Sequence, residues 1–178
     1  MLRSFLIACF LTVVCSTSAW AQKNEVSLIV GGGRLSGSGG SVGASAGSFA
    51  YTRSLIGGLA AEGSIDFFFV DNGSVSKDDY GAVQASLVYH FVPVRKRGSL
   101  IPYLVAGIGK VSTDFTEIPG EKIYRFGGGV KYYFSDNHGF GLRVELRDEI
   151  TRQGLQGYPI TGSTLHLVSL RGGFSYRF

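Results

Sequence analysis

The chain has 178 residues, a formal net charge of +4 and a mean hydropathy of +0.18, which fits a single domain. A charge this small, with no basic run beyond Arg95-Lys96-Arg97, argues against nucleic-acid binding. Its 27 glycines are well above the number expected from the usual share of about 7%, and they do not follow the three-residue period of collagen. They indicate tight turns and closely packed strands.

Residues 1–21 have the organisation of a secretory signal peptide. Arg3 precedes an apolar stretch over residues 4–14, and Ala19-Trp20-Ala21 is a small-x-small cleavage signature. A lipoprotein signal at Leu6-Ile7-Ala8-Cys9 is the alternative, but it leaves an apolar core of only about five residues. Cys9 and Cys15 both fall within the signal. We therefore expect a domain over residues 22–178 with no disulfide and no thiolate metal site.

Strand-length segments separated by turn-forming residues then follow one another to the end of the chain. The last shows the period of two of a β-strand most clearly, with Phe174, Tyr176 and Phe178 on one face and Arg171 and Arg177 on the other. The predicted strands are residues 25–33, 42–53, 59–70, 80–92, 100–111, 122–134, 140–150 and 165–178. The facing of the fifth stays open. Residues 34–41, 71–79, 112–120 and 151–163 are predicted to form loops at one end.

Aromatic residues concentrate near the ends of these segments, at two heights. One set lies where the chain termini would be: Phe49, Tyr51, Tyr89, Phe91, Tyr132, Phe134, Tyr176 and Phe178. A second set lies near the opposite end: Phe67, Phe69, Tyr80, Tyr124 and Phe126. Two aromatic belts are typical of a protein that meets both interfaces of a bilayer. The sequence thus predicts an all-β protein, an eight-stranded antiparallel up-and-down transmembrane β-barrel, with lipid as its surroundings.

Three motifs resemble OmpA-like outer-membrane β-barrel domains. They are Pro102-Tyr103-Leu104-Val105-Ala106-Gly107-Ile108-Gly109, the hairpin around Gly127-Gly128-Gly129-Val130-Lys131-Tyr132-Tyr133-Phe134, and the carboxyl-terminal Phe174-Ser175-Tyr176-Arg177-Phe178. The resemblance implies a bacterial outer-membrane location with both termini in the periplasm. It also implies that Phe174, Tyr176 and Phe178 form the signal read by the barrel-assembly machinery. It does not supply a function, because this fold serves many.

Ionisable residues gather on the inward face of the predicted strands. Glu62 and Asp66 face a second group made up of Arg125, Lys131, Arg143, Glu145, Arg147 and Arg171. Such groups at membrane depth either serve a proton or ion path or pair with one another. Because eight strands enclose a space just wide enough for side chains to fill, we favour a paired network that closes the lumen.

Enzymatic, metal and cofactor sites find little support in the sequence. His166 and Ser169 are an odd number of residues apart, so a regular strand places them on opposite faces, and His90 and His138 lie at the other end. The acidic residues over 71–79 could bind calcium weakly, but we favour the interpretation that this segment is a solvated polar loop. We predict no enzyme activity, no cofactor and no metal.

The predicted loops are the remaining binding candidates, because binding residues concentrate on loops held by a rigid scaffold. Their apolar residues are Phe115, Ile118, Tyr158 and Ile160. The predicted function is a structural or cell-surface interaction role, with any extracellular ligand unknown. Two alternatives stay open: a narrow outer-membrane channel, and a soluble calycin-like barrel with aromatic residues inside and Arg143, Glu145 and Arg147 in water.

Overall fold

The computed structural model describes residues 24–38, 40–71, 78–92, 100–112, 121–134, 139–151 and 164–178. Eight strands run through them: β1 Asn24–Gly37, β2 Gly40–Ser54, β3 Leu59–Asp71, β4 Asp78–His90, β5 Leu100–Ser112, β6 Glu121–Tyr133, β7 Gly139–Thr151 and β8 Leu165–Arg177. Each pairs antiparallel with its neighbours in sequence, and β8 returns to pair with β1. This closed barrel confirms the predicted fold class.

The two ends of the barrel differ. The termini end holds Asn24 and Phe178, whose backbones hydrogen-bond to each other at 3.0 and 3.2 Å. The turn between β2 and β3 lies at the same end, where Gly58 has a φ of +87°. A side chain at Gly58 would also place its Cβ 2.5 Å from the His90 carbonyl oxygen. β3, β5 and β7 end, and β4, β6 and β8 begin, at the opposite end of the barrel, called the loop end.

The structure corrects the loop predicted over residues 34–41. β1 continues to Gly37 and β2 begins at Gly40, with Arg34 paired to Gly43 and Leu35 to Val42. Glycine and serine suggested a turn here, but glycine in β1 has another cause. A Cβ on Gly33 would lie 2.1 Å from the backbone oxygen of Val168, so the close approach of β8 requires its absence.

The facing of β5, which the sequence leaves open, is now defined. Ile101, Tyr103 and Val105 are buried in the lumen, while Leu104 and Ile108 are exposed on the outer wall. Gly107 and Gly109 continue the inward face, where a Cβ would collide with the backbone of β4. Their lack of side chains is why the alternation is weak in the sequence.

Candidate functional site: the charged lumen

Alternate residues of β3, β6, β7 and β8 direct charged side chains into the barrel. All eight residues singled out in the sequence face the lumen with at most 2% of their surface exposed: Glu62, Asp66, Arg125, Lys131, Arg143, Glu145, Arg147 and Arg171. Burial of this many charges is costly unless each is paired and hydrogen-bonded. The contacts between them form three tiers along the barrel axis.

The middle tier is organised by Glu62. Arg143 Nη1 donates to Glu62 Oε2 at 2.8 Å, and Thr52 Oγ1 donates to the same oxygen at 3.0 Å. Glu62 Oε1 lies 3.5 Å from Arg125 Nη1 and 3.9 Å from Arg147 Nη2. One carboxylate on β3 is therefore shared by arginines of β6 and β7.

Glu145 completes the middle tier. It accepts hydrogen bonds from Arg143 Nε at 3.1 Å and from the Tyr103 hydroxyl at 2.6 Å, and it contacts Arg147. The Arg143 guanidinium also lies 5.0 Å from the centre of the Tyr103 ring, in cation–π range. Tyr103 thus links β5 to the ion pairs of β7.

The tier nearer the loop end is organised by Asp66. Arg147 Nη1 and Arg171 Nη1 each donate to Asp66 Oδ1 at 3.0 Å, and Arg125 pairs with the other oxygen. Glu149 pairs with Arg171 and lies 3.4 Å from Arg125 Nη2. Three arginines on three different strands therefore converge on one aspartate.

The tier nearer the termini end is organised by Glu25. Lys131 Nζ donates to its two oxygens at 2.9 and 3.0 Å, and the Tyr133 hydroxyl also donates to it. Ser27 donates to Glu25 at 3.0 Å. The Arg177 guanidinium lies 4.6 Å from the Tyr133 ring centre.

Sequence reasoning missed Glu25 and Glu149, and charge balance is the signal that points to them. The predicted set holds three carboxylates against five cations, and a buried cation without a carboxylate partner is costly. Glu149 continues the alternation of Arg143, Glu145 and Arg147 by one more step. With Glu25 and Glu149 added, five carboxylates face these five cations, and the buried Arg177 at the termini end is a sixth cation.

Above the network, the loop end of the lumen is apolar, which the sequence analysis did not anticipate. The side chains are Leu35, Ala44, Ala46, Phe68, Val70, Tyr80, Ala82, Val111, Ile123, Leu165 and Leu167, called the apolar layer below. Seven of them line a small cavity of about 30 Å³ together with Glu149 and Thr151: Leu35, Phe68, Val70, Tyr80, Val111, Ile123 and Leu167. The Arg171 guanidinium lies 5.6 Å from the Phe68 ring and marks the boundary between the two regions.

The outer wall of the barrel is apolar, in contrast to the charged lumen. Large apolar side chains are exposed along every strand, among them Leu28, Phe67, Leu87, Leu104, Phe126, Leu146 and Leu170. The residues of the proposed terminal signal, Phe174, Tyr176 and Phe178, also face outward. A soluble calycin-like barrel requires the opposite arrangement, with Arg143, Glu145 and Arg147 in water. The geometry therefore argues against that alternative.

The remaining candidates are not brought together. His166 lies on the outer wall with its Nδ1 3.1 Å from Asp148 Oδ2, whereas Ser169 faces the lumen. Most of the calcium candidate over residues 71–79 lies outside the described residues, as do the apolar loop residues Phe115, Ile118, Tyr158 and Ile160. Among the described residues, no group of three or more His, Cys, Asp or Glu could hold a metal ion. In that same part of the chain, no helix is long and apolar enough to cross a membrane.

Together, the closed sheet, the ionic lumen and the apolar outer wall define a small eight-stranded barrel of inverted polarity. No family model and no curated protein matches the chain. Neisserial surface protein A is a solved structure with a similar fold, with a TM-score of 0.69 at 16% identity over 87% of this chain and 97% of that chain. The Yersinia pestis attachment invasion locus protein Ail, solved with the heparin analogue sucrose octasulfate, gives 0.46 at 18% identity over 88% and 99%. The likeness to the Neisserial protein supports the fold, and OmpA-like membership stays a prediction.

Proposed function

We propose that this chain is a non-enzymatic integral protein of a bacterial outer membrane, exported by the signal peptide over residues 1–21. The observation that carries the proposal is the inverted polarity of the barrel. Charged side chains such as Arg143 and Asp66 are buried inside, while leucine, valine and phenylalanine cover the outside. In water, that outer wall would be an apolar patch far larger than soluble monomers expose. In a bilayer it faces lipid, and closure of the sheet satisfies the backbone at every strand edge.

Aromatic pairs at the termini end support membrane insertion. Ring centres lie 5.3 Å apart for Tyr89 and Phe91, and 5.4 Å apart for Tyr132 and Phe134. Tyr176 lies 5.1 Å from Phe140 and 6.2 Å from Phe178. A belt of exposed rings at one height is what an interface between lipid and water favours. We assign this end to the periplasm, together with both termini.

We further propose that the lumen is closed to bulk solutes. The three ionic tiers connect opposite walls, and the side chains of the apolar layer at the loop end, apart from the Tyr80 hydroxyl, offer an ion no polar group. The narrow-channel alternative needs a continuous polar path, and that path has to cross both the ionic tiers and the apolar layer. The network then serves stability and shape, and the role of the protein in the cell is structural or lies in its surface loops.

The connections at the loop end are the proposed contact region with the outside, because rigid scaffolds commonly present binding residues on loops. Their ligand is not specified by the chain. During insertion, we propose that Phe174, Tyr176 and Phe178 engage the barrel-assembly machinery.

Cell fractionation of a host expressing the full chain tests this proposal. We expect the protein in the outer-membrane fraction, with a folded form that migrates differently from the boiled form on a gel. Protease added to intact cells should cut at residues 113–120 or 152–163 and leave the strands protected. Recovery of the folded protein in the soluble fraction without detergent contradicts the proposal.

A further inference from the structure

Two lysines face each other on the outer wall near the loop end. Lys110 on β5 is paired directly with Lys122 on β6, and both side chains are exposed. Neither has an ion-pair or hydrogen-bond partner among the described residues. This contrasts with Arg125, Lys131, Arg143, Arg147 and Arg171 in the lumen, all of which contact carboxylates.

Residues directly opposite each other in an antiparallel pair have Cβ atoms about 4.5–5.5 Å apart, and like charges at that spacing are unfavourable. Among the described residues, this pair of positive charges has no compensating partner and is held at one fixed place in the sheet. A single anion with several oxygen atoms, placed between the two ammonium groups, would turn this repulsion into two charge-assisted hydrogen bonds.

The neighbours of the lysines on the outer wall are apolar. Val83 pairs with Lys110 across β4 and β5, and Ile108 and Tyr124, which pair with each other, lie next to the lysines on the side toward the middle of the wall. Val83 and Ile108 are both well exposed. The pair thus lies where the apolar wall ends, with acyl-chain surface directly below it and the loops above.

We propose that Lys110 and Lys122 bind the phosphate group of a lipid in the membrane leaflet at the loop end, an inference that rests on the membrane location proposed above. The lysines hold the phosphate, while the acyl chains of the same molecule lie against Val83, Ile108 and Tyr124. A lipid fits better than free phosphate because the cations border an apolar surface. Lysine acts here as a point charge at the end of a flexible stem, which reaches the headgroup level.

The chain offers a matched control in Arg34. This residue is also exposed on the outer wall toward the loop end, but its cross-strand neighbours are Gly43 and Val168, so it is a single cation. If the site depends on two facing lysines, Arg34→Gln should have a much smaller effect than Lys110→Gln with Lys122→Gln.

The test folds the mature chain into phosphatidylcholine vesicles containing a trace of lipid A, or of lipid A stripped of its phosphates. Native mass spectrometry then measures which lipid stays bound after extraction. We expect the wild type to retain the phosphorylated form at least about tenfold better, with Lys110→Gln/Lys122→Gln losing the preference and Lys110→Arg/Lys122→Arg keeping it. Equal retention of both lipids by the wild type, or an equal loss in Arg34→Gln, overturns the inference.

A second variant separates binding from relief of repulsion. Lys122→Glu places a carboxylate opposite Lys110, so thermal stability in pure phosphatidylcholine should rise while lipid A retention disappears.

A separate experiment adds inorganic phosphate to the protein in detergent micelles and tests whether the free anion is enough. If it stabilises the wild type as much as lipid A does, the site is not a lipid site and the inference is wrong. Failure of every variant to fold into vesicles removes the membrane proposal itself, and folding without any preference for phosphate removes only this inference.

Discussion

Arg143 on β7 donates a 2.8 Å hydrogen bond to Glu62 on β3, across the full width of the lumen. In an eight-stranded barrel these strands are four positions apart, so the bond connects opposite walls. Both side chains are completely buried. Charges in such a place are stable only with their partners, because water cannot replace a lost contact.

Glu62→Gln should strongly destabilise the barrel. The substitution removes the negative charge that Arg143, Arg125 and Arg147 share, so positive charge is left buried without compensation. We expect a loss of about 3–5 kcal/mol in the free energy of unfolding. Urea unfolding of the detergent-folded protein, followed by the gel mobility of the folded form, measures it.

A double-mutant cycle provides the control. Arg143→Met combined with Glu62→Gln removes one charge of each sign and so restores the wild-type charge balance of the lumen. The double variant should therefore lose less stability than the sum of the two single losses, by about 0.5–3 kcal/mol. Strictly additive losses would show that the bond across the lumen contributes no coupling.

Gly129→Ala should destabilise, while Gly63→Ala should not. A Cβ on Gly129 would lie 2.2 Å from the Val144 carbonyl oxygen and 2.8 Å from Glu145, whereas one on Gly63 meets no atom within 4 Å. We expect a loss of about 1–3 kcal/mol for the first. The second should be neutral or gain about 0.4–1 kcal/mol. The same unfolding assay compares them, and equal effects would mean that β6 does not need glycine to let Glu145 into the lumen.

Much of this architecture follows from a period of two in the sequence. The alternation of Arg143, Glu145 and Arg147 with Leu142, Val144 and Leu146 puts the two sets on opposite faces of the sheet. The aromatic belts, which favour a bilayer, then assign the charged face to the lumen. The eight predicted charged positions all point into the lumen for that reason. Which charged residues pair with each other could not be predicted from the sequence, because it depends on which strands lie opposite each other across the barrel.

The misses have physical causes as well. Segment 34–41 contains glycine and serine, which favour turns, yet β1 continues to Gly37 and β2 begins at Gly40, so most of the segment is paired strand. The close contact between β1 and β8 explains Gly33, just before that segment. The apolar layer was missed because Phe68, Val70 and Leu167 alternate with other apolar residues on the outer wall. With both faces apolar, periodicity carries no information about which side lies inside.

Leu146→Arg should separate a membrane barrel from a soluble one. Leu146 is 56% exposed at the middle of β7, and Phe140 is 62% exposed near the end of the same strand. In a bilayer, arginine at the midplane costs about 2–4 kcal/mol and near the interface about 0–1 kcal/mol. The free energy of folding into vesicles should therefore drop for Leu146→Arg and hardly change for Phe140→Arg. If both substitutions are neutral, the outer wall does not face lipid.

Phe178→Ala should impair assembly in cells while leaving the folded barrel stable. The ring of Phe178 lies on the outer wall, 41% exposed, while its backbone hydrogen bonds to Asn24 do not depend on the side chain. Its contribution to stability is then small, and in the proposed assembly signal its larger role would be recognition during insertion. We expect the variant to fold into detergent like the wild type, with an unfolding free energy within about 1 kcal/mol. In cells, however, its outer-membrane level should fall and unfolded protein should accumulate in the periplasm.

Phe140→Ala, which removes a neighbouring ring of the same belt, is the matched control and should keep normal levels. If both variants are depleted equally, the belt as a whole is responsible, and the terminal residue has no special part in assembly.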